Sequence, residues 1–255
     1  MPERFYSAVP APVRTALFTL VIFLSCVSCG ARLDGEFHSD GRTEFTLKST
    51  LFPGASRLLK GLAANSGGGP VFDAALLNRN FAAISGIESS TLRNTGEDGI
   101  EGGIVVASIT QFLTRAADTV ASKGGGKKFS AIVWEQSATG GTLTININMD
   151  TGQELLLLIS PDLVDYLSAL MAPIATGEII DRAAYLELVA SVYGKSIADE
   201  IMRARISLKA GFPGPVESVS GGNRRGSYAE FMIPLTDLLV LDQPLRYEVR
   251  WTPWR

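Results

Sequence analysis

Both cysteines of the chain, Cys26 and Cys29, lie at the end of an uncharged apolar run, Thr15–Ser25, and no cysteine occurs later. The body of the chain can therefore form neither a disulfide framework nor a cysteine-based zinc site. It is long enough to bury a sizeable core instead, since 46% of the 255 residues are hydrophobic and 19% are charged. A body without thiols also suits an oxidising compartment.

The apolar run has the features of a secretory signal. Its length of about 11 residues fits the central segment of a signal peptide and falls short of the ~20 residues that a membrane span needs. Arg4 and Arg14 precede it. We therefore predict a signal peptide at residues 1–25, followed by a lipidated anchor and a short linker at residues 26–32.

Two sites place a small residue directly before a cysteine, Ser25-Cys26 and Ser28-Cys29. This arrangement resembles the bacterial lipobox, in which the signal peptide is cut before a cysteine that then carries lipid. The first site has Phe23 in the aliphatic position of the motif, as the looser signals of spirochaete-type lipoproteins accept. The second site has a cysteine in that position. We favour cleavage between Ser25 and Cys26 with lipidation of Cys26, and Cys29 is the alternative.

The resemblance implies diacylglycerol on the cysteine thiol and a further acyl chain, such as palmitate, on its amino group. Several acyl chains anchor a protein durably, because each buried methylene contributes ~0.8 kcal/mol. The protein is then expected in the cell envelope, lipid-anchored to a bacterial membrane outside the cytoplasm. An ordinary secreted protein and an uncleaved anchor are the alternatives.

Residues 33–255 are predicted to form a single α+β domain. Asp40-Gly41 indicates a hairpin between two segments of alternating apolar and polar residues, and Leu245–Trp251 alternates in the same way. Helical patterns separate the strand pairs without strict β-α-β alternation. We therefore expect a largely antiparallel sheet built from hairpins, with helices packed on one face and a helical insertion at about 150–203. This organisation also resembles the LppM-like domain of bacterial lipoproteins, which implies no activity.

The expected elements follow from the periodicity and from the turn residues. The expected strands are 33–38, 44–51, 87–94, 103–108, 129–135, 142–148, 205–210, 228–233 and 245–251. The expected helices are 58–64, 72–84, 109–120, 160–171, 181–194 and 196–202, and a glycine-rich loop is expected at 220–226.

No residue pattern predicts a catalytic, cofactor-binding or metal site. His38 is the only histidine, and no Gly-x-Ser-x-Gly elbow accompanies it, so we interpret it as an exposed strand residue. The glycine clusters at 67–69, 124–126 and 221–222 lack the spacing of Walker and Rossmann loops, so we interpret them as flexible loops.

Carboxylates and tryptophans are the remaining candidates. The pairs Glu97/Asp98 and Asp199/Glu200 show no convergence across a cleft, which acid–base catalysis requires, so we interpret them as solvated. Four aromatic residues could line a ligand cleft, with core packing as the simpler interpretation: Trp134, Tyr247, Trp251 and Trp254.

These observations favour a non-enzymatic lipoprotein that needs no cofactor and binds an apolar ligand or lipid. Such a protein should have an enclosed apolar pocket of several hundred Å³ lined by residues of the 160–203 region. The alternative is a structural or interaction protein of the envelope with an exposed apolar patch, and a third possibility is an envelope hydrolase. The net charge is −3, and the densest basic segments, Lys123–Lys128 and Arg224–Arg225, lie among glycines, which argues against nucleic acid as a partner.

Overall fold

The structure, a computed structural model, describes residues 30–62, 70–126, 128–158 and 161–253. The predicted cleavage site at Ser25 and both candidate lipidation sites, Cys26 and Cys29, lie outside these residues, as does Trp254.

Strands and helices share the described chain about equally. The strands are β1 Ala31–Phe37, β2 Thr43–Thr50, β3 Ile87–Ser90, β4 Arg93–Asn94, β5 Gly99–Val106, β6 Ile132–Ser137, β7 Gly140–Ile147, β8 Arg205–Gly211, β9 Val216–Ser220, β10 Asn223–Arg225, β11 Tyr228–Pro234 and β12 Leu245–Trp251. The helices are α1 Pro53–Leu62, α2 Ala74–Ala82, α3 Ile109–Lys123, α4 Met149–Leu156, α5 Pro161–Ala169, α6 Pro173–Thr176, α7 Arg182–Tyr193, α8 Lys195–Arg203 and α9 Leu235–Val240.

The predicted α+β class is confirmed, with mostly antiparallel strand pairs. The strands form two sheets, however, where one was expected. The first sheet has the order β10-β11-β8-β1-β2-β5-β3, and β4 also pairs with β5. The second sheet has the order β6-β7-β12-β9. The neighbours β1 and β8 are parallel, and this long-range pairing leaves no signal in the local sequence pattern.

The hairpin of β1 and β2 is confirmed, and its alternating burial shows which face of the first sheet is buried and which is exposed. Gly41 has a φ of 86°, which the tight turn requires and glycine adopts without steric cost. Leu33 pairs with Leu47, and both side chains are buried on the inner face. Arg32 pairs with Lys48 on the outer face, where both side chains are exposed. No helix of the described chain covers the outer face of these two strands, as their alternating burial shows.

Aromatic rings join the two sheets at the end of β1. The Phe37 ring stacks on Trp134 of the second sheet with 4.7 Å between ring centroids. Phe212, just beyond β8, lies 4.8 Å from Trp251, which in turn lies 4.6 Å from Trp134. Aromatic pairs at such distances contribute roughly 0.5–1.5 kcal/mol each beyond their buried area. This end of the molecule is therefore a closed sandwich.

The chain passes from the second sheet to the first at Gly221-Gly222, between β9 and β10. The prediction of a glycine-rich loop at 220–226 was wrong here, because most of these residues belong to strands. Gly221 has a φ of 77°, and a Cβ atom there would lie 2.5 Å from the carbonyl oxygen of Arg246. A Cβ on Gly222 would overlap the ring of Phe231. These two glycines are packed corner residues, because only glycine allows the backbones to approach so closely.

The helices α4 to α8 lie between β7 and β8 along the chain, in the region expected to be a helical insertion. Asn148 forms a capping box with Thr151 at the start of α4, and Asp181 caps α7 through the amide of Ala184. The buried Tyr185 hydroxyl donates to the carbonyl oxygen of Leu170 at 3.3 Å and so fixes α7 against the end of α5. Within the described ranges, none of the helices has the length and apolarity required to cross a membrane.

Candidate functional site

A narrow apolar cleft lies between α1 and α8, at the end of the first sheet far from the aromatic rings. Its interior volume is only about 20 Å³, room for about one water molecule, and it is open to solvent on one side. Its lining residues are Phe52, Ala55, Leu58, Leu170, Ile197, Glu200, Ile201, Ala204 and Leu235. The predicted pocket was expected to be enclosed, and the structure instead shows a cleft open to solvent. Four of its residues come from the predicted 160–203 region.

The position of α1 is set by a buried carboxylate on α8. Glu200 is only 7% exposed, and its oxygens accept hydrogen bonds from the amides of Gly54 at 3.0 Å and Ala55 at 2.9 Å. These amides belong to the first turn of α1, where backbone donors lack partners within the helix and the helix dipole favours negative charge. Glu200 therefore caps α1 from a neighbouring helix, and the prediction that it is solvated was wrong.

Glycine at position 54 makes this cap possible. A Cβ atom there would lie 2.6 Å from one Glu200 oxygen and 2.6 Å from the terminal methyl of Ile197, and both distances are too short for real contacts. Any larger residue would push α8 away from α1. The separation of the two cleft walls therefore depends on Gly54 and Glu200 together.

A second carboxylate fixes the opposite side of α1. The Ser56 hydroxyl donates to Asp98 at 2.5 Å, and the ammonium group of Lys60 lies 3.1 Å from the same carboxylate. The hydrogen bond from Ser56, with the charge of Lys60 as a further cause, holds the pKa of Asp98 below its ordinary value. The exposed Glu97 carboxylate also contacts Lys60, at 2.8 Å. Glu97 and Asp98 of the first predicted pair and Glu200 of the second thus contact α1, which the sequence did not indicate.

The mouth of the cleft carries a guanidinium group. Arg203, the last residue of α8, lies with its Cζ atom 5.8 Å from the centroid of the Phe52 ring. Its Nε donates a hydrogen bond of 3.0 Å to the backbone carbonyl oxygen of Asp199, one turn earlier in α8. On the adjoining wall, the amide of Leu235 donates to the carbonyl oxygen of Ala204 at 3.0 Å and holds α9 in place.

The lining of this cleft is suited to contact with apolar groups of a ligand. Eight of the nine lining residues are apolar, and the ninth, Glu200, uses both carboxylate oxygens to cap α1. A hydrocarbon group placed between Leu58 and Ile197 would gain about 25 cal/mol for each Å² removed from water.

The predicted aromatic cleft is a packed core. Trp251 is 3% exposed between Trp134 and Phe212, and Tyr247 packs edge-on against Phe231 with 5.2 Å between ring centroids. These side chains are packed against one another and against Phe212 and Phe231 within the sandwich. Core packing, the simpler interpretation of these residues, agrees with this arrangement.

The structure also places the remaining candidates from the sequence, among them His38 and the glycines at 124–126. His38 follows β1 as a partly exposed residue, with its Nε2 atom 3.7 Å from the carboxylate of Glu44. Gly125 and Gly126 have positive φ angles in the loop after α3. In the described part of the chain, no group of three or more His, Cys, Asp or Glu residues is arranged to hold a metal ion. The large apolar side chains that are exposed lie on different elements: Leu76, Val133, Ile179, Val192, Met202 and Met232.

The sequence matches no protein-family model and no curated protein. Among solved structures, the fold is similar to the NMR structure of the folded domain of the LppM protein of Mycobacterium tuberculosis. The TM-score is 0.41 and the sequence identity 8%, over 99% of this chain and 97% of that chain. A similarity at this level supports no statement about the function of the present chain.

Proposed function

We propose that this chain is an exported lipoprotein whose domain binds a single hydrocarbon chain of a lipid in the cleft between α1 and α8. The observation that carries the proposal is the lining of the cleft, which is apolar except for a carboxylate that is already engaged. The guanidinium of Arg203 at the mouth suits a lipid that has a polar or anionic head.

The anchoring part of the proposal rests on the sequence. Cleavage between Ser25 and Cys26 would leave Cys26 as the lipidated first residue, with Cys29 as the alternative acceptor. Metabolic labelling with a fatty acid in Cys26→Ser and Cys29→Ser variants identifies the acceptor, because only the change at the modified residue removes the label. The anchoring proposal fails if the wild-type chain takes up no label.

Photo-crosslinking of the full-length chain in its membrane tests the cleft. Cells are fed a long-chain fatty acid that carries a diazirine, the membranes are irradiated, and the labelled peptides are identified by mass spectrometry. We expect label on the peptides that contain α1 and α8. Leu58→Trp should reduce this label strongly, since Leu58 is a half-buried lining residue and the larger side chain would fill the cleft.

A matched variant controls for the added indole. Leu76→Trp makes the same change at an exposed position on α2, away from the cleft lining, and should leave the labelling pattern unchanged. Label spread evenly over the surface peptides, or equal loss in both variants, would contradict binding in the cleft.

A further inference from the structure

The described chain begins at the start of β1, a central strand of the first sheet. Ala31 pairs with Ile206 in the parallel register of β1 and β8, so Gly30 lies beside the first residue of β8, Arg205. The residue before Arg205 is Ala204, which lines the apolar cleft. The segment that leads to the predicted anchor therefore leaves the domain next to the cleft.

Five basic residues lie along this end of the first sheet and at the end of α8, and we call them the basic edge: Arg32, Lys48, Arg93, Arg203 and Arg205. On the outer face of the sheet, Arg32 pairs with Lys48, Lys48 with Glu101, and Glu101 with Arg93. The side chains of the three basic residues in this row are 60%, 66% and 76% exposed. They come from positions far apart in the sequence, so the sheet alone brings them together.

Carboxylates neutralise only part of the basic edge. Arg32 contacts Asp34 at 2.9 Å, and Arg93 contacts Glu101 at 2.6 Å, with Lys48 at 3.9 Å from the same residue. One row higher, Glu230 contacts Arg225 at 3.1 Å. The carboxylate of Asp199, near Arg203 on α8, pairs with Lys195 instead.

Two arginines of the basic edge have no acidic partner in the described chain. Arg203 donates to the carbonyl oxygen of Asp199, and Arg205 donates to the carbonyl oxygens of Met202 and Ala204 at 2.7 and 2.8 Å. The protein as a whole has a net charge of −3, so the local charge of the basic edge is opposite in sign to the net charge. Two exposed methionines, Met202 and Met232, lie among these residues, and Met232 pairs with Ser207 beside Arg32.

The tether to the predicted anchor is short. Cys26 precedes Gly30 by four residues, which span about 14 Å at most when fully extended, and Cys29 directly precedes Gly30. The potential of an anionic membrane surface falls off within a Debye length of ~8 Å at physiological ionic strength. A lipid on Cys29 would hold the start of β1 within the reach of that potential, and a lipid on Cys26 would allow it to come equally close.

We propose that the basic edge rests on the anionic headgroups of the membrane that holds the anchor, with Met202 and Met232 entering the interface. This inference depends on the anchoring part of the proposed function and adds the orientation of the domain. Basic residues interspersed with exposed apolar side chains are the composition of surfaces that lie on anionic bilayers. In this orientation the cleft opens beside the lipids that would supply its hydrocarbon chain.

Acetylation of lysines in the full-length chain, reconstituted into vesicles, tests the orientation. The vesicles contain phosphatidylcholine alone or mixed with phosphatidylglycerol. Lys48 reports on the basic edge, and Lys195, 82% exposed at the start of α8, is the internal control. We expect slower acetylation of Lys48 only on the anionic vesicles, with reversal in high salt, and an unchanged rate at Lys195.

Charge variants show whether the arginines cause the protection. The double change Arg203→Ser and Arg205→Ser should lower the ratio of docked to undocked protein about 30-fold, from the usual contribution of each basic residue near an anionic surface. Arg203→Lys with Arg205→Lys keeps the charge and should keep the protection, even if α8 loses contacts. Arg246→Ser with Arg250→Ser removes the same charge from exposed positions on the second sheet and should have no effect.

The outcomes of this experiment distinguish a failure of the docking inference from a failure of the anchoring proposal. A chain that floats with both kinds of vesicle but shows equal Lys48 acetylation on each overturns the docking inference and leaves the anchoring intact. A chain that floats with neither overturns both. Protection of Lys48 by a soluble acidic polymer, without protection by anionic vesicles, would assign the basic edge to an acidic macromolecule and overturn membrane docking.

Discussion

The inner face of the first sheet is filled in opposite ways at its two ends. At the Phe37 end of β1, aromatic rings of both sheets pack against one another with 4.6–4.8 Å between ring centroids. At the Ala31 end, about 20 Å away along the strand, helices replace the second sheet and small residues such as Ala55 and Ala204 line a cleft. The aromatic rings pack directly against one another, whereas α1 and α8, joined by the buried Glu200 carboxylate, have a small cleft between them. The comparison assigns stability to the first end, and the proposed function places binding at the second.

The largest effect is expected at the aromatic end. Trp251→Ala should destabilise the protein by about 3–5 kcal/mol, because a side chain that is 3% exposed leaves a cavity between Trp134 and Phe212. Urea unfolding of the full-length chain measures the change. Met232→Ala, at a residue that is 61% exposed, should change stability by less than about 0.5 kcal/mol. Equal effects of the two substitutions would contradict the assignment of the aromatic end to stability.

The next effect concerns the wall of the cleft. Glu200→Ala leaves the buried amides of Gly54 and Ala55 without their acceptor, which should cost about 1–3 kcal/mol. The loss should be local at first, so hydrogen exchange measured by mass spectrometry should rise in α1 before it rises in β1 and β2. Glu200→Gln keeps one oxygen acceptor and should cost less. Unchanged exchange in α1 after Glu200→Ala would show that α1 is held by other contacts.

A smaller effect, dependent on pH, is expected on the other side of α1. Ser56→Ala removes the hydrogen bond that lowers the pKa of Asp98, so this pKa should rise toward its ordinary value. A folded-state pKa below the unfolded value adds stability above the unfolded pKa of about 3.9, and this stability is lost as the pH falls. The stability difference between wild type and variant should therefore be largest near neutral pH and shrink below about pH 4.

Carboxyl ¹³C chemical shifts of Asp98, followed through the titration by NMR, measure its pKa directly. Because the Asp98 side chain is 40% exposed, solvent screening reduces the contribution of this ion pair to stability. The pH profile is therefore the more informative readout. An identical pKa in both proteins would show that Ser56 is not the cause of the shift.

The sequence predicted the local elements better than the way they come together. Alternation and turn residues gave the hairpin of β1 and β2 and the strand Leu245–Trp251, since these patterns depend on neighbours along the chain. The parallel pairing of β1 with β8 depends on residues about 175 positions apart, and neither segment carries a local signal for it. The strands β9 and β10 were missed because glycines that permit close packing look the same in a sequence as glycines in a flexible loop.

The site was only partly predictable for the same reason. The apolar residues of the 160–203 region were expected to line a pocket, and Leu170, Ile197 and Ile201 do line the cleft. The role of Glu200 was not foreseen, because its partners, the amides of Gly54 and Ala55, belong to a helix about 145 residues earlier. Backbone donors at a helix start have no side-chain identity, so no residue pattern could reveal that pairing.

The smallest effect on stability is expected at the Asp199–Lys195 ion pair, and it distinguishes two neighbouring carboxylates on α8. Asp199 forms an exposed i,i+4 pair with Lys195 at 2.7 Å, whereas Glu200 is buried against α1. Lys195→Ala should lower stability by no more than about 0.5 kcal/mol, because the pair is exposed and the helix dipole disfavours a positive charge at the start of α8. The loss should disappear in 1 M salt, where the Debye length is ~3 Å, while the loss from Glu200→Ala should persist. Urea unfolding at low and high salt measures both, and a salt-sensitive Glu200→Ala effect would mean that this carboxylate is solvated after all.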